Sequence, residues 1–264
     1  MFYRLSQGHL NLLEICPPKF QQTYLENLPT LTNPEQEDKL IWGSHFHLLM
    51  QQRELGLPLE SLLQAEPELD HSLKALIEAA PDILNPDNSQ TWREAEHSRT
   101  LNHGSYLLTV VYDLLIANQN QAQIIDWKTY LQPPSNKNLA HDWQTRLYLY
   151  VLAETSEYAP EQISLTYWFV KLPQQPQNYT FTYSADQHTQ TKTDLTNLLT
   201  NLDYWLLTND FPHQTNCEKS CPFRQDLANS THNTSSNNIN SIETQANLAS
   251  SSLTSLDQIA EISI

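Results

Sequence analysis

Residues 106–128 read YLLTVVYDLLIANQNQAQIIDWK. One carboxylate, Asp113, lies inside an otherwise apolar run, between Val110-Val111 and Leu114-Leu115-Ile116. A second, Asp126, follows Ile124-Ile125. Burying a carboxylate without a partner is costly, so a chain that places two there constrains its own fold. The turn residues Asn118 to Asn120 predict two adjacent strands, over about 104–117 and 121–129. Side chains two apart on a strand share a face, so Lys128 projects with Asp126. Adjacent strands let Asp113 reach the same point. Two carboxylates and an ammonium at strand ends can hold a hard cation beside a positive group. Mg²⁺ takes one or two carboxylates together with waters and substrate phosphate oxygens. Alone, the spacing also fits an Asp–Lys salt bridge at a sheet end, with Asp113 facing solvent.

The surrounding pattern supplies the rest of the domain. Ser6 as N-cap opens a helix over about 7–26, through Leu10, Leu13, Phe20 and Tyr24. Helices over about 36–55 and 59–80 follow. A strand over 91–99 reaches its neighbour through the turn Leu101-Asn102-His103-Gly104. A helix over 139–156, strands over 162–171 and 177–184, and a helix over 186–208 complete the order. This succession predicts the α/β class, with a mixed central sheet flanked by helices. Residues 229–264 are rich in Asn, Ser and Thr and lack any aromatic, Lys, Arg, Gly, Pro or Cys. Such a stretch cannot offset its chain entropy by burial and is predicted to be a disordered tail. One domain over 1–228 remains.

Composition removes several function classes. The chain has 264 residues, with 30 acidic against 14 basic side chains and a net charge of −16. That balance argues against a stand-alone, sequence-independent DNA binder, which needs a basic footprint. Four glycines are too few for Gly-rich phosphate loops of either common kind. No run reaches the ~18 apolar residues of a membrane span, so no membrane partner is expected. The start, MFYRLSQGHL, lacks the layout of a secretory signal. Three cysteines exclude a full disulfide framework, and the expected compartment is the reducing cytoplasm.

Asp113, thirteen residues on Asp126, and then Trp127-Lys128 resemble the core of the PD-(D/E)XK nucleases, in their RecB-like and Cas4-like branch. Four further motifs agree in order. Leu5-Ser6, Leu12-Leu13 and Cys16-Pro17-Pro18-Lys19-Phe20 resemble the branch's N-terminal helix and its Cys-Pro-aromatic signature. Gly43-Ser44-His45-Phe46-His47 resembles its Gly-x-x-x-His motif, and the offset from Gly43 selects His47 over His45. Gln144 and Tyr148 match a Gln-x-x-x-Tyr motif on the helix after the lysine, where their spacing puts both on one face. For these two, packing into an apolar helix is an equal alternative. Cys217-Glu218-Lys219-Ser220-Cys221-Pro222-Phe223-Arg224 resembles the branch's C-terminal Cys-rich loop.

The resemblance implies a restriction-endonuclease-like core and metal-dependent DNA phosphodiester hydrolysis, by an exonuclease rather than an endonuclease. It implies Mg²⁺ or Mn²⁺ held by His47, Asp113, Asp126 and the Trp127 main-chain carbonyl. Glu96, preferred over Glu94 on the preceding strand, would join them. Lys128 would stabilise developing charge or orient the attacking water. Gln144 and Tyr148 would position DNA or the lysine. Relatives with an iron–sulfur cluster use four cysteines. This chain offers Cys16, Cys217 and Cys221, with none near Leu227 or Ala228, so no cluster is expected. The implied partners are DNA ends or single strands and a helicase or other protein subunit, in repair, recombination or DNA processing. The acidic charge and the missing cysteine leave one alternative, a non-catalytic or conditionally active subunit with a nuclease fold.

Overall fold

The computed structural model describes residues 3–27, 34–85, 91–131, 133–172 and 175–213, with backbone alone for 34–39. In chain order the elements are β1 (Tyr3–Leu5), α1 (Gln7–Ile15), α2 (Pro17–Phe20), α3 (Pro34–Glu54), α4 (Glu60–Ala65), α5 (Pro67–Ala79) and α6 (Pro81–Leu84). Then come β2 (Trp92–His103), β3 (Tyr106–Ala117), β4 (Ala122–Lys128), α7 (Asn136–His141), α8 (Trp143–Glu154), β5 (Ile163–Phe169), β6 (Gln177–Thr182) and α9 (Ala185–Thr208). Cys217, Cys221 and the 229–264 tail lie outside the described residues.

The six strands form one mixed sheet with helices on both faces. One face packs against α1, α8 and α9 through Leu10, Leu13, Trp143, Leu147, Leu195 and Leu199. The other packs against α3, α5 and α6 through Phe46, Leu49, Leu69, Leu73, Leu76 and Leu84. Antiparallel β2 lies along one edge of β3 for its whole length. β1, parallel, and β4, antiparallel, share the other edge, at Tyr106–Leu108 and Leu114–Ala117 respectively. Among the described residues, neither pairs with β3 over 109–113. β4 continues into the sheet as a parallel neighbour of β5, and β6 closes that side antiparallel.

Three expected helices are each two or more. The first stops at Ile15 because Pro17 pulls Cys16 out of the helical region, to φ −148 and ψ 81. The third breaks at Glu66, before Pro67, and a short further helix starts at Pro81. The fourth breaks at Asp142, which is extended and caps α8: its carboxylate accepts from the Gln144 amide at 2.7 Å. The first hairpin turns later than its Asn-His-Gly signal suggested. β2 runs to His103, and Gly104 at φ 60 opens a two-residue loop before Tyr106. The three-residue β1 was not expected at all; its pattern is too short to register.

Candidate active site

The site forms where β3 and β4 part. Their ladder ends at Leu114 against Ile125. One step further, the Asp113 carboxylate takes the place of a main-chain acceptor, and its Oδ2 receives the Trp127 amide at 2.6 Å. The strand also turns over here. Tyr112 packs with the α8 side of the core and Leu114 with the α3 side, although residues two apart on a regular strand share a face. Opposite Asp113, Glu96 takes φ 52, a left-handed value that costs a non-glycine residue about 1–2 kcal/mol. The register either side is intact, with Ala95 on Leu114 and His97 on Tyr112. Both strands therefore rotate together without an inserted residue.

The rotation gathers one group of ligands. His47, on α3, brings Nδ1 to 3.2 Å from Asp113 Oδ1. His47, Glu96 and Asp113 each offer an atom within 4.8 Å of the others, and all three are half-buried. His45 points elsewhere and pairs with Glu66. Glu94 does not share the face of Glu96: it sits opposite Leu115 and pairs with His97 at 2.8 Å. Residues two apart on a regular strand would share a face; these two do not, because the backbone reverses at Glu96.

A second group lies on the α8 side. Asp126 is fully buried and Lys128 nearly so. Lys128 Nζ stands 2.8 Å from Asp126 Oδ1 and donates to Gln144 Oε1 at 2.6 Å. Gln144 Nε2 donates to Asp126 Oδ2 at 2.9 Å and to the Tyr148 hydroxyl at 3.3 Å. One amide thus bridges both members of the ion pair, which a helix turn aimed at a strand end makes possible. The Lys128 ammonium also lies over the Tyr167 and Tyr130 rings, at 5.1 and 5.9 Å from their centroids. Burial pushes the Tyr167 hydroxyl well above its usual range. The neutral phenol shares a 2.9 Å hydrogen bond with Thr145, the neighbour of Gln144. The structure therefore brings His47, Glu96 and Asp113 together, and separately Asp126, Lys128, Gln144 and Tyr148. Trp127, which carries the expected carbonyl ligand, joins the groups through its amide.

The sequence reading missed two supports. Asn11 of α1 receives the Trp143 amide at 3.2 Å and donates to Asp142 at 3.1 Å. It fixes the start of α8 and so the position of Gln144. A buried Asn on an apolar helix was the available signal. The second support is Thr129, described below with Gly43.

A family model for the PD-(D/E)XK nuclease superfamily matches residues 4–225. The chain belongs to this superfamily. Membership makes it a hydrolytic nuclease by descent, and PD-(D/E)XK nucleases use divalent metals. A solved structure from Eubacterium rectale, of a protein described provisionally as an exonuclease, has a similar fold at 8% identity and a TM-score of 0.51, covering 90% of this chain and 91% of that one. The solved structure of SSO0001 is 16% identical over 75% of this chain and 76% of that one, with a TM-score of 0.36. No curated protein matches the sequence significantly.

The residues present suit the superfamily's metal. One imidazole and two carboxylates converge, with the buried Asp126 carboxylate on the adjoining strand. An oxygen-rich set with a single nitrogen favours a hard divalent cation. The Gly43 to His47 spacing has a steric cause in this chain. A Cβ on Gly43 would lie 3.0 Å from Thr129 Oγ1, just beyond Lys128, so glycine lets α3 close on β4 and carry His47 to Asp113. Gly43→Ala gains about 1 kcal/mol of helix propensity. It should nevertheless slow cleavage about tenfold by displacing His47. Thr129→Ala in the same chain should restore the rate. An unchanged rate in the single variant would show that this contact does not set His47.

Proposed function

We propose that the chain is a deoxyribonuclease that hydrolyses phosphodiester bonds at DNA ends or in single strands with Mg²⁺ or Mn²⁺, in repair, recombination or DNA processing. The observation that carries this reading is the presence of two groups at one strand opening, linked by the Trp127 amide on Asp113: His47, Glu96 and Asp113 in one, Asp126, Lys128 and Gln144 in the other. Exonuclease rather than endonuclease action accords with the description given to the Eubacterium rectale protein. The odd cysteine count agrees with a cytoplasmic setting.

His47, Glu96, Asp113 and Asp126 would hold the divalent cation. When bound, it supplies charge against the phosphate and acidifies water. Lys128 holds its proton beside Asp126 and presents positive charge where negative charge develops. Gln144 orients that ammonium, and Tyr148 holds the far end of Gln144. The Tyr167 and Tyr130 rings keep water from the lysine's flank. The net charge of −16 predicts weak, salt-sensitive DNA binding that a divalent cation strengthens.

The test uses end-labelled single- and double-stranded DNA with Mg²⁺, Mn²⁺ or EDTA. Cleavage is expected in either metal and none in EDTA. Absence of cleavage in every metal would overturn the proposal and favour a non-catalytic or conditionally active subunit that binds a helicase or other partner.

A further inference from the structure

Helix α3 is apolar on two opposite sides. Trp42, Phe46, Leu49 and Met50 fall on one side and are buried in the core on that face of the sheet. Ile41, Leu48 and Leu55 recur every seven residues, which on a helix drifts by only about 20° per step, so they form one straight line on the far side. Leu55 belongs to it because its amide still donates to the Gln51 carbonyl at 3.0 Å, before Gly56 turns the chain at φ 67. The three side chains are 52%, 42% and 64% exposed, and among the described residues they join neither core. Isolated apolar side chains on a surface are ordinary. A line of three over about 21 Å of one helix, at 1.5 Å per residue, calls for something to cover it.

The line identifies its own partner by reading the same in both directions. Leu48 is the midpoint, with Ile41 seven residues before it and Leu55 seven after. A second α3 laid antiparallel across the first sets Leu48 on Leu48 of the second copy and Ile41 on its Leu55. The two helix dipoles then oppose each other. A patch that contacts itself is closed by a two-fold axis. The rim permits the approach. Ser44, Gln51 and Gln52 flank the line and are neutral, and Glu66 reaches the rim paired with His45. Two copies of net charge −16 repel each other, and a neutral strip is where they meet at least cost.

We propose that α3 pairs antiparallel with α3 of a second copy of this chain, about a two-fold axis at Leu48. His47 is the next residue and points about 100° round the helix from Leu48. A two-fold perpendicular to both helices keeps that direction, so the two candidate active sites lie on the same side of the pair. The inference goes beyond the nuclease reading, and its test reads mass rather than cleavage.

Sedimentation equilibrium of the full chain tests it. One helix pair is at the small end of specific interfaces, so a dissociation constant of about 1–100 µM is expected. The wild-type mass should rise from 30.5 kDa towards twice that value across this range. Leu48→Glu should raise the dissociation constant at least about 100-fold, because the change enters twice and sets two carboxylates together. Its circular dichroism should match wild type, since the side chain is outside both cores. Leu207→Glu, 86% exposed on α9, should leave the dissociation constant unchanged. Mixing Ile41→Glu with Leu55→Lys chains should restore the pairing that each alone has lost, because these two positions meet only in the antiparallel arrangement. A wild type that stays at 30.5 kDa throughout overturns the proposal and leaves the line to a helix of another protein. A Leu48→Glu chain that still pairs overturns it by placing the interface elsewhere. A mixture that fails to pair overturns the antiparallel arrangement.

Discussion

Asp113→Asn should reduce DNA cleavage at least about 10³-fold and leave the melting temperature within a few degrees of wild type. The two halves of this expectation come from different oxygens. Oδ2 receives the Trp127 amide at 2.6 Å and completes the ladder where β3 and β4 part. An asparagine keeps an oxygen acceptor for that amide. Oδ1 faces His47 and belongs to the group with Glu96. There the substitution replaces a charged ligand with a neutral amide. Single-turnover cleavage beside a thermal melt checks both halves. An Asp113→Asn protein that cleaves at the wild-type rate would remove this carboxylate from the active centre.

Lys128→Met should remove activity to a similar extent and, unlike the first variant, should also destabilise the fold. Lys128 is 4% exposed and its partner Asp126 is 0% exposed. Taking away one member of a buried ion pair costs about 3–5 kcal/mol, because the remaining charge loses its ionic partner. In a domain of this size that is about 10 °C of melting temperature. Adding Asp126→Asn should recover most of the stability, since Gln144 can still bond a neutral amide, and none of the activity. Urea unfolding with cleavage assays separates the two effects. Recovery of activity in the double variant would show that the pair serves folding alone.

Much of this site is legible in local sequence. The apolar runs around Asp113 and Asp126 mark two strands, Asp126 and Lys128 share a face by alternation, and Gln144 and Tyr148 share a helix face by spacing. The carboxylate of Asp142 before Trp143 was a readable N-cap, as were the helix stops before Pro17 and Pro67. What local sequence hides is the turning over of β3. The run from Tyr106 to Ala117 is apolar on both faces, so nothing in its pattern marks where the faces exchange. Glu96 gives no sign either, because a left-handed backbone is ordinarily announced by Gly or Asn. The exchange falls where one edge of β3 passes from β1 to β4 and where α3 comes close through Gly43. The role of Asn11 shows in local sequence only as a polar residue on an apolar helix, because its partners are more than 130 residues away.

The doubled role of Asp113 bears on how such chains drift once selection on cleavage is relaxed. An oxygen at this position receives the Trp127 amide, whereas the proposed catalysis requires its charge. A descendant that has lost its reaction is under pressure to keep the first and free to lose the second. Asparagine is then the natural resting point, and alanine is a path that costs the sheet a bond. An intact-looking strand in a distant copy is consequently a mark of a preserved architecture, whereas the proposed activity would need an acidic 113 with Glu96 and His47, and Asp126 and Lys128 besides.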